Sequence, residues 1–147
     1  MNMLRVLVVD DSLTIRAALE EILQKGGRCR VVGSASSVEE ARVMIPALQP
    51  DVITLDLALP GEDGMSFLDE ISAPLHAPAV VVSSATGPGT EKSAEALKRG
   101  AAACFDKSRL IAEGHRLLRA VQLAALDHLR ARVAGLEREL KLNGVRV

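Results

Sequence analysis

The sequence predicts an α/β protein: a five-stranded parallel sheet, doubly wound by helices, with an extended C-terminal helix. Three observations lead there. Five short apolar runs, rich in β-branched residues, recur along the 147 residues with helical patterns between them. Several of these runs are apolar on both faces, as strands covered by helices on each side must be. Glycine, proline or a capping hydroxyl stands at many of the boundaries.

Residues 4–10, LRVLVVD, read as the first strand. Residues 13–25 follow as a helix whose apolar stripe is Ile15, Ala18, Leu19, Ile22 and Leu23, and Gly26-Gly27 ends it by accepting a left-handed cap. Residues 29–35, CRVVGSA, are the second strand. Ser37 and Glu40 then stand at capping-box spacing and open a second helix, which Pro46 should disturb near its end. DVITLD (51–56) is the third strand, followed by the turn LALPGEDG and a short helix through MSFLDEIS. APAVVVSS (77–84) is the fourth strand, and TEKSAEALKRG (90–100) is a helix ended by Gly100. AAACFDK (101–107) is the fifth strand, with helix from Ser108 onward.

Composition narrows the function classes. Hydrophobic residues make up 48% and charged residues 25%, a balance that supports a folded core. The formal net charge of -1 gives no sign of nucleic acid or a membrane surface as partner. Phe67 and Phe105 are the only aromatics, too few for a base-stacking platform. Cys29 and Cys104 fit neither a CxxC nor a zinc pattern and read as buried free thiols. No apolar stretch reaches the length of a membrane span, and no basic region or cleavage site precedes the first strand. The expected location is the cytoplasm.

In a doubly wound sheet, ligands bind at the edge where the carboxyl ends of the strands converge. Asp10 and Asp11, Asp56, Ser83 and Ser84, and Lys107 all fall at that edge. Three neighbouring carboxylates repel one another unless something neutralises them. Oxygen-only ligands suit magnesium, a cation that handles phosphate. Lys107 adds a point charge for a phosphoryl oxygen, and Ser83 adds a hydroxyl donor. Asp56 ends a central strand alone, which makes it the candidate nucleophile and leaves Asp10 and Asp11 for the metal.

The chain resembles the receiver domains of response regulators in two-component signalling. The residues that carry the likeness are VLVVDDS with Thr14 and Arg16, DVITLDLALPGEDG, VVVSSAT and ALKRGAAACFDK. DVITLDLALPGEDGMSFL and SSATGPGTEKSAEALKRGA look most like the receiver half of chemotaxis methylesterases, although the methylesterase domain is missing from these residues. The resemblance implies a flavodoxin-like fold, with a receiver domain over residues 1–126 and a helical extension over 127–147. It implies that a sensor histidine kinase phosphorylates Asp56. Asp11 and Asp56 would then ligate magnesium, Asp10 would act mainly through a coordinated water, and the Ala58 carbonyl would complete the protein's share. Lys107 would bind the phosphoryl group and Ser83 would be the switch hydroxyl. Counting back from Gly100 favours Ser83, and Ser84 is its immediate rival.

The implied function is a single-domain regulator that signals to an effector by protein–protein contact. Its only catalysis is its own phosphorylation and dephosphorylation. Two alternatives stay open: an interaction or dimerisation protein that uses the C-terminal helix, and a phosphate sink without an effector. A phosphatase of the haloacid-dehalogenase type is disfavoured, because its second aspartate, two residues beyond the nucleophile, is here Ala58. A nucleotide-binding site is also disfavoured. No GxGxxG follows the first strand, and Gly87-Pro88-Gly89-Thr90 lacks phosphate-loop spacing, so it reads as a loop capped by Thr90. His76, His115 and His128 are scattered and receive no role.

Three departures from the family pattern matter. Ser108 stands where a cis proline is usual, so a trans bond is expected, with Ser108 available to cap the next helix. Cys104 stands at the switch-aromatic position, and Phe105, one residue on, should face the other side of the sheet. Ala58 and Ala85 are small, which should leave a phosphoaspartate more open to water or to a phosphatase.

After about Leu126 the chain continues with Leu126, Val133 and Leu140 alternating with Leu129 and Leu136 at heptad spacing, and charges fill the other positions. Only about two to three heptads exist, and Gly135 weakens them by about 1 kcal/mol relative to alanine. A last helix packed on its own domain, a dimerising coiled coil through this C-terminal helix, and a docking helix for a partner all fit that pattern. The helical pattern speaks against a severed linker.

Overall fold

The computed structural model describes residues 3–72, 76–84, 86–87 and 89–146. The chain alternates β1 (Leu4–Val9), α1 (Leu13–Gln24), β2 (Cys29–Ala35), α2 (Val38–Leu48), β3 (Val52–Leu55), α3 (Gly64–Ile71), β4 (Ala79–Ser83), α4 (Glu91–Lys98) and β5 (Ala103–Asp106). A 3-10 turn at Lys107–Arg109 leads into α5, Leu110–Leu142. All strand pairs are parallel and the sheet order is β2-β1-β3-β4-β5. The doubly wound, flavodoxin-like class read from the sequence is therefore the fold. A long C-terminal helix closes it.

The sheet separates two apolar layers. Leu7, Val9, Ile53, Leu55 and Val81 face α2, α3 and α4, where Phe67, Leu68 and Ile71 meet them. Val6, Val8, Val52, Val80 and Val82 face α1 and α5, where Leu19, Leu23, Leu117 and Val121 meet them. Strand alternation sends neighbours to opposite layers. Cys104 accordingly packs with the first layer and Phe105 with the second, so the ring lies on the face expected for it. Both cysteines are free, and burial pushes both thiols above their ordinary pKa.

Local chemistry sets the helix boundaries. Ser12, Ser37, Asp63 and Thr90 each accept a hydrogen bond from a first-turn amide of α1, α2, α3 and α4. Pro46 lies inside α2 without ending it. In the last turn only one amide bond is lost, and the helix runs on to Leu48 before Gln49 turns left-handed at φ 47°. Gly64 is fixed by closeness: a Cβ there would fall on the backbone of Leu57, so the β3–α3 loop can fold tightly against the start of α3.

The last junction corrects one expectation. The 107–108 bond is trans, as a non-proline residue at 108 requires. Ser108 does not cap the following helix. Asp106 caps instead the 3-10 turn in which Ser108 lies: its Oδ1 accepts from the Ser108 amide at 2.9 Å and from the Ser108 hydroxyl at 2.8 Å. A carboxylate one residue before the turn reaches the free amide better than the serine that carries it. α5 begins at Leu110 with no side-chain cap. It kinks at Glu113, where φ is -127° and ψ is 29°, and then continues through residues 126 and 127.

Candidate functional site

The parallel sheet brings the ends of β1, β3, β4 and β5 to one edge, and Asp10, Asp56, Ser83 and Lys107 meet there. Asp10 and Asp56 are buried, at 1% and 3% exposure, and Asp11 beside them is exposed. One carboxylate oxygen from each of Asp10, Asp11 and Asp56 lies within 4.8 Å of the others. Two elements enforce this crowding. The Asp10 amide donates to the Ala35 carbonyl, and the Asp56 amide donates to the Val9 carbonyl at 3.0 Å, so the ladder places each aspartate in register at the edge.

Lys107 supplies the counter-charge. Its Nζ stands 2.8 Å from Oδ2 of Asp56 and 2.8 Å from Oδ2 of Asp10. The contact with Asp56 is a directed hydrogen bond. The contact with Asp10 compensates charge, yet among the described residues no hydrogen bond is directed at that buried Asp10 oxygen. Asp56 Oδ1 accepts from the Ala58 amide at 3.0 Å and from the Ser83 hydroxyl at 2.9 Å. Burial alone would raise the Asp56 pKa, but the Lys107 ammonium, the Ala58 amide and the Ser83 hydroxyl together hold it below the ordinary value. Lys107 is shifted upward: burial opposes its charge, and the hydrogen bond to Asp56 together with the adjacent Asp10 carboxylate outweighs that.

Asp10 also has a structural part. Its Oδ1 accepts from the Ser12 amide at 2.8 Å, and its carbonyl accepts from Arg16 at 2.8 Å, which fixes the entry into α1. Ser83 is fully buried and touches Asp56, whereas Ser84 is exposed. Of the two serines, Ser83 is the one that contacts Asp56. Ala58 is exposed beside Asp56, and Ala85 lies outside the described residues.

One neighbour of the site, the last residue of VVVSSAT, has no role assigned from the sequence. Thr86 is fully buried, and its hydroxyl lies 2.7 Å from the Ser83 carbonyl and 2.8 Å from the Phe105 carbonyl. It ties the loop after β4 to β5 directly beside Ser83. A lone threonine in a glycine-rich loop gives no periodic signal that could have singled it out.

The donor set fits a hard divalent cation. It is all oxygen, and two of its three carboxylates are buried around one ammonium. One ammonium cannot neutralise three carboxylates, so the cluster retains an excess of negative charge. A nucleophilic carboxylate held ionised at the mouth of such a cluster, with an ammonium and a hydroxyl on its two oxygens, is equipped to accept a phosphoryl group.

Comparison with known proteins agrees with the geometry. The family model for the response regulator receiver domain matches residues 6–131. A protein-glutamate methylesterase/protein-glutamine glutaminase of Caulobacter vibrioides is 44% identical over 107 residues, covering 73% of this chain and 31% of that protein. A protein of the same name from Dechloromonas aromatica is 38% identical over 143 residues, covering 97% of this chain and 40% of that protein. The chain thus spans less than half the length of these relatives. The crystal structure of the response regulator domain of Thermotoga maritima CheB superposes with a TM-score of 0.79 at 32% identity, covering 84% of this chain and 97% of that domain.

Proposed function

We propose, for a chain that belongs to the response regulator receiver family, that Asp56 accepts a phosphoryl group from a phosphohistidine of a sensor histidine kinase. The observation that carries this reading is the pairing of Asp56 with Lys107 at 2.8 Å, at the sheet edge where Asp10 and Asp11 also gather. An Asp56 oxygen attacks phosphorus, the P–N bond to the donor imidazole breaks, and the imidazole keeps the bonding pair. Lys107 exchanges its contact with Asp56 for one with a phosphoryl oxygen, so its charge follows the group transferred. The Ser83 hydroxyl, now donating to Asp56, is placed to turn toward the new phosphoryl oxygens.

Asp11, Asp56, the Ala58 carbonyl and Asp10, the last through water, are the groups that would hold magnesium. Magnesium would neutralise charge on the transferring phosphoryl oxygens. The chain's own chemistry is limited to gaining and losing this phosphoryl group, and its output is contact with an effector protein in the cytoplasm. Within the described residues no helix is long and apolar enough to cross a membrane.

Intact-protein mass spectrometry with acetyl phosphate as donor tests the reading. The chain should gain the mass of one phosphoryl group in magnesium and none in EDTA, and Asp56→Asn should abolish the gain. Equal labelling of Asp56→Asn and the parent would remove Asp56 from this role.

A further inference from the structure

α5 is 33 residues long and, after its kink at Glu113, runs about 44 Å at about 1.5 Å per residue, but its buried residues end at Ala124. Beyond that point it runs past the sheet edge opposite the carboxylates, where Leu129, Arg132 and Leu136 border open clefts whose other walls include His76 and Ala77. Leu126, Leu129, Val133, Leu136 and Leu140 form a continuous apolar seam on this free stretch, each 41% to 57% exposed. A helix seam of this length left in water calls for a partner. The charges beside it say which partner.

With Leu126, Val133 and Leu140 as a positions and Leu129 and Leu136 as d positions, Arg130 and Glu137 occupy e, and Arg132 and Glu139 occupy g. None of these four charges has an ion-pair partner among the described residues. An antiparallel pair of helices sets e against e and g against g. With Val133 facing Leu136 of a second copy and Leu129 facing its Leu140, Arg130 meets Glu137 and Arg132 meets Glu139, each twice by symmetry. Sliding one heptad in one direction sets Arg130 against Arg130 and Arg132 against Arg132. Sliding the other way sets Glu137 against Glu137 and Glu139 against Glu139. A parallel pair gains only Arg132 against Glu137. Charge therefore selects one orientation and one register.

We infer that the exposed C-terminal part of α5 is a homodimerisation helix, forming an antiparallel two-stranded coiled coil with a second copy of this chain through Leu129, Val133, Leu136 and Leu140 and the Arg130–Glu137 and Arg132–Glu139 pairs. The symmetry is two-fold and the interface isologous, so the contact closes at two copies. The two domains extend away from opposite ends of the coil. Both aspartate sites stay open, because α5 leaves each domain at the far edge of its sheet. This inference stands apart from phosphoryl transfer and would survive its failure.

Sedimentation equilibrium of the full chain, at low and high salt, tests it with two charge-neutral double variants. R130E/E139R turns all four antiparallel pairs repulsive but leaves the parallel Arg132–Glu137 pair intact. R130E/E137R exchanges the signs within the Arg130–Glu137 pairs, leaves the Arg132–Glu139 pairs as they are, and makes the parallel pair repulsive. The parent should show a monomer–dimer equilibrium between 15.6 kDa and twice that mass, weakened by salt. R130E/E139R should weaken dimerisation at least about tenfold, and R130E/E137R should stay within about threefold of the parent. All four positions are exposed, so circular dichroism should show unchanged folding. A parent that stays monomeric, a dimer indifferent to R130E/E139R, or one lost in R130E/E137R would each overturn the proposal.

Discussion

Lys107 Nζ stands 2.8 Å from Asp56 Oδ2, and the same ammonium is 2.8 Å from Asp10. One cation thus holds two buried anions in place. Lys107→Met keeps the length of the stem and removes the charge, which leaves Asp10 and Asp56 facing each other uncompensated. Breaking a buried ion pair from one side costs roughly 3–5 kcal/mol, and the open Asp11 side of the cluster should reduce this to about 2–3 kcal/mol. Urea unfolding in EDTA measures the cost. An unchanged midpoint would mean that Lys107 holds nothing in place.

Asp11 predicts the opposite sign. It adds a third carboxylate to a cluster with one ammonium, so its charge is a burden until a cation arrives. Asp11→Asn should raise the melting temperature in EDTA. The parent should gain stability with magnesium, by about 2.7 kcal/mol at a hundredfold excess over the dissociation constant. The variant should gain much less. Equal magnesium-induced shifts in the two proteins would exclude Asp11 as a ligand.

Acid stability should follow Asp56. Its folded pKa lies below the unfolded value, so the folded state releases this proton more readily than the unfolded chain does. The stability it contributes is fully present above the ordinary carboxylate pKa of about 3.9 and is lost as pH falls through the folded value. Lys107 acts at the other end: its raised pKa contributes stability below about 10.4, lost as pH rises through the folded value. Stability against pH in EDTA should therefore fall on both limbs, and Asp56→Asn should flatten the acid limb. A variant profile parallel to the parent's throughout would exclude this origin.

Much of this was legible in the sequence because of what parallel strands demand. VLVV and VVV must be apolar on both faces, and a strand so built can carry a charge only at its end, which singled out Asp10, Asp56 and Lys107. The less legible features depend on contacts across the fold. Thr86 matters through the carbonyls of Ser83 and Phe105, which no spacing reveals. Asp106 caps the 3-10 turn after β5 while Ser108 caps nothing, and two capping residue types so close together look equivalent until that turn is known. Gln49 ends α2 left-handed where a glycine would have announced the stop. Pro46 was visible, but its effect depended on how little helix remained beyond it.

Thr54 gives a prediction about the core. It lies in register between Val8 and Val80, in the layer under α1 and α5. Its hydroxyl is buried and has no hydrogen-bond partner among the described residues. A buried, unpaired hydroxyl loses its hydration without return. Thr54→Val keeps the shape and removes that cost, so unfolding should require about 1 kcal/mol more. Equal or lower stability, measured in urea, would mean that the hydroxyl has a partner in solution.

Ala58 governs access to the acceptor. Its amide donates to Asp56 Oδ1 at 3.0 Å, and its side chain, the smallest that retains a Cβ, stands exposed beside that carboxylate. Hydrolysis of a phosphoryl group on Asp56 requires water to reach phosphorus from the side opposite the aspartyl oxygen. Ala58→Leu preserves the backbone amide and carbonyl but lays an apolar cover over the approach. Loss of phosphoryl label after removal of the donor should slow by about two- to tenfold, a barrier change of about 0.4–1.4 kcal/mol. Because the backbone contacts are kept, phosphorylation by acetyl phosphate should still go to completion. If decay keeps the parent's rate while labelling stays intact, solvent access at position 58 does not set the lifetime. If labelling itself fails, the leucine has disturbed the Asp56 geometry, and Ala58→Ser, which alters the side chain with little added cover, should then label and decay like the parent.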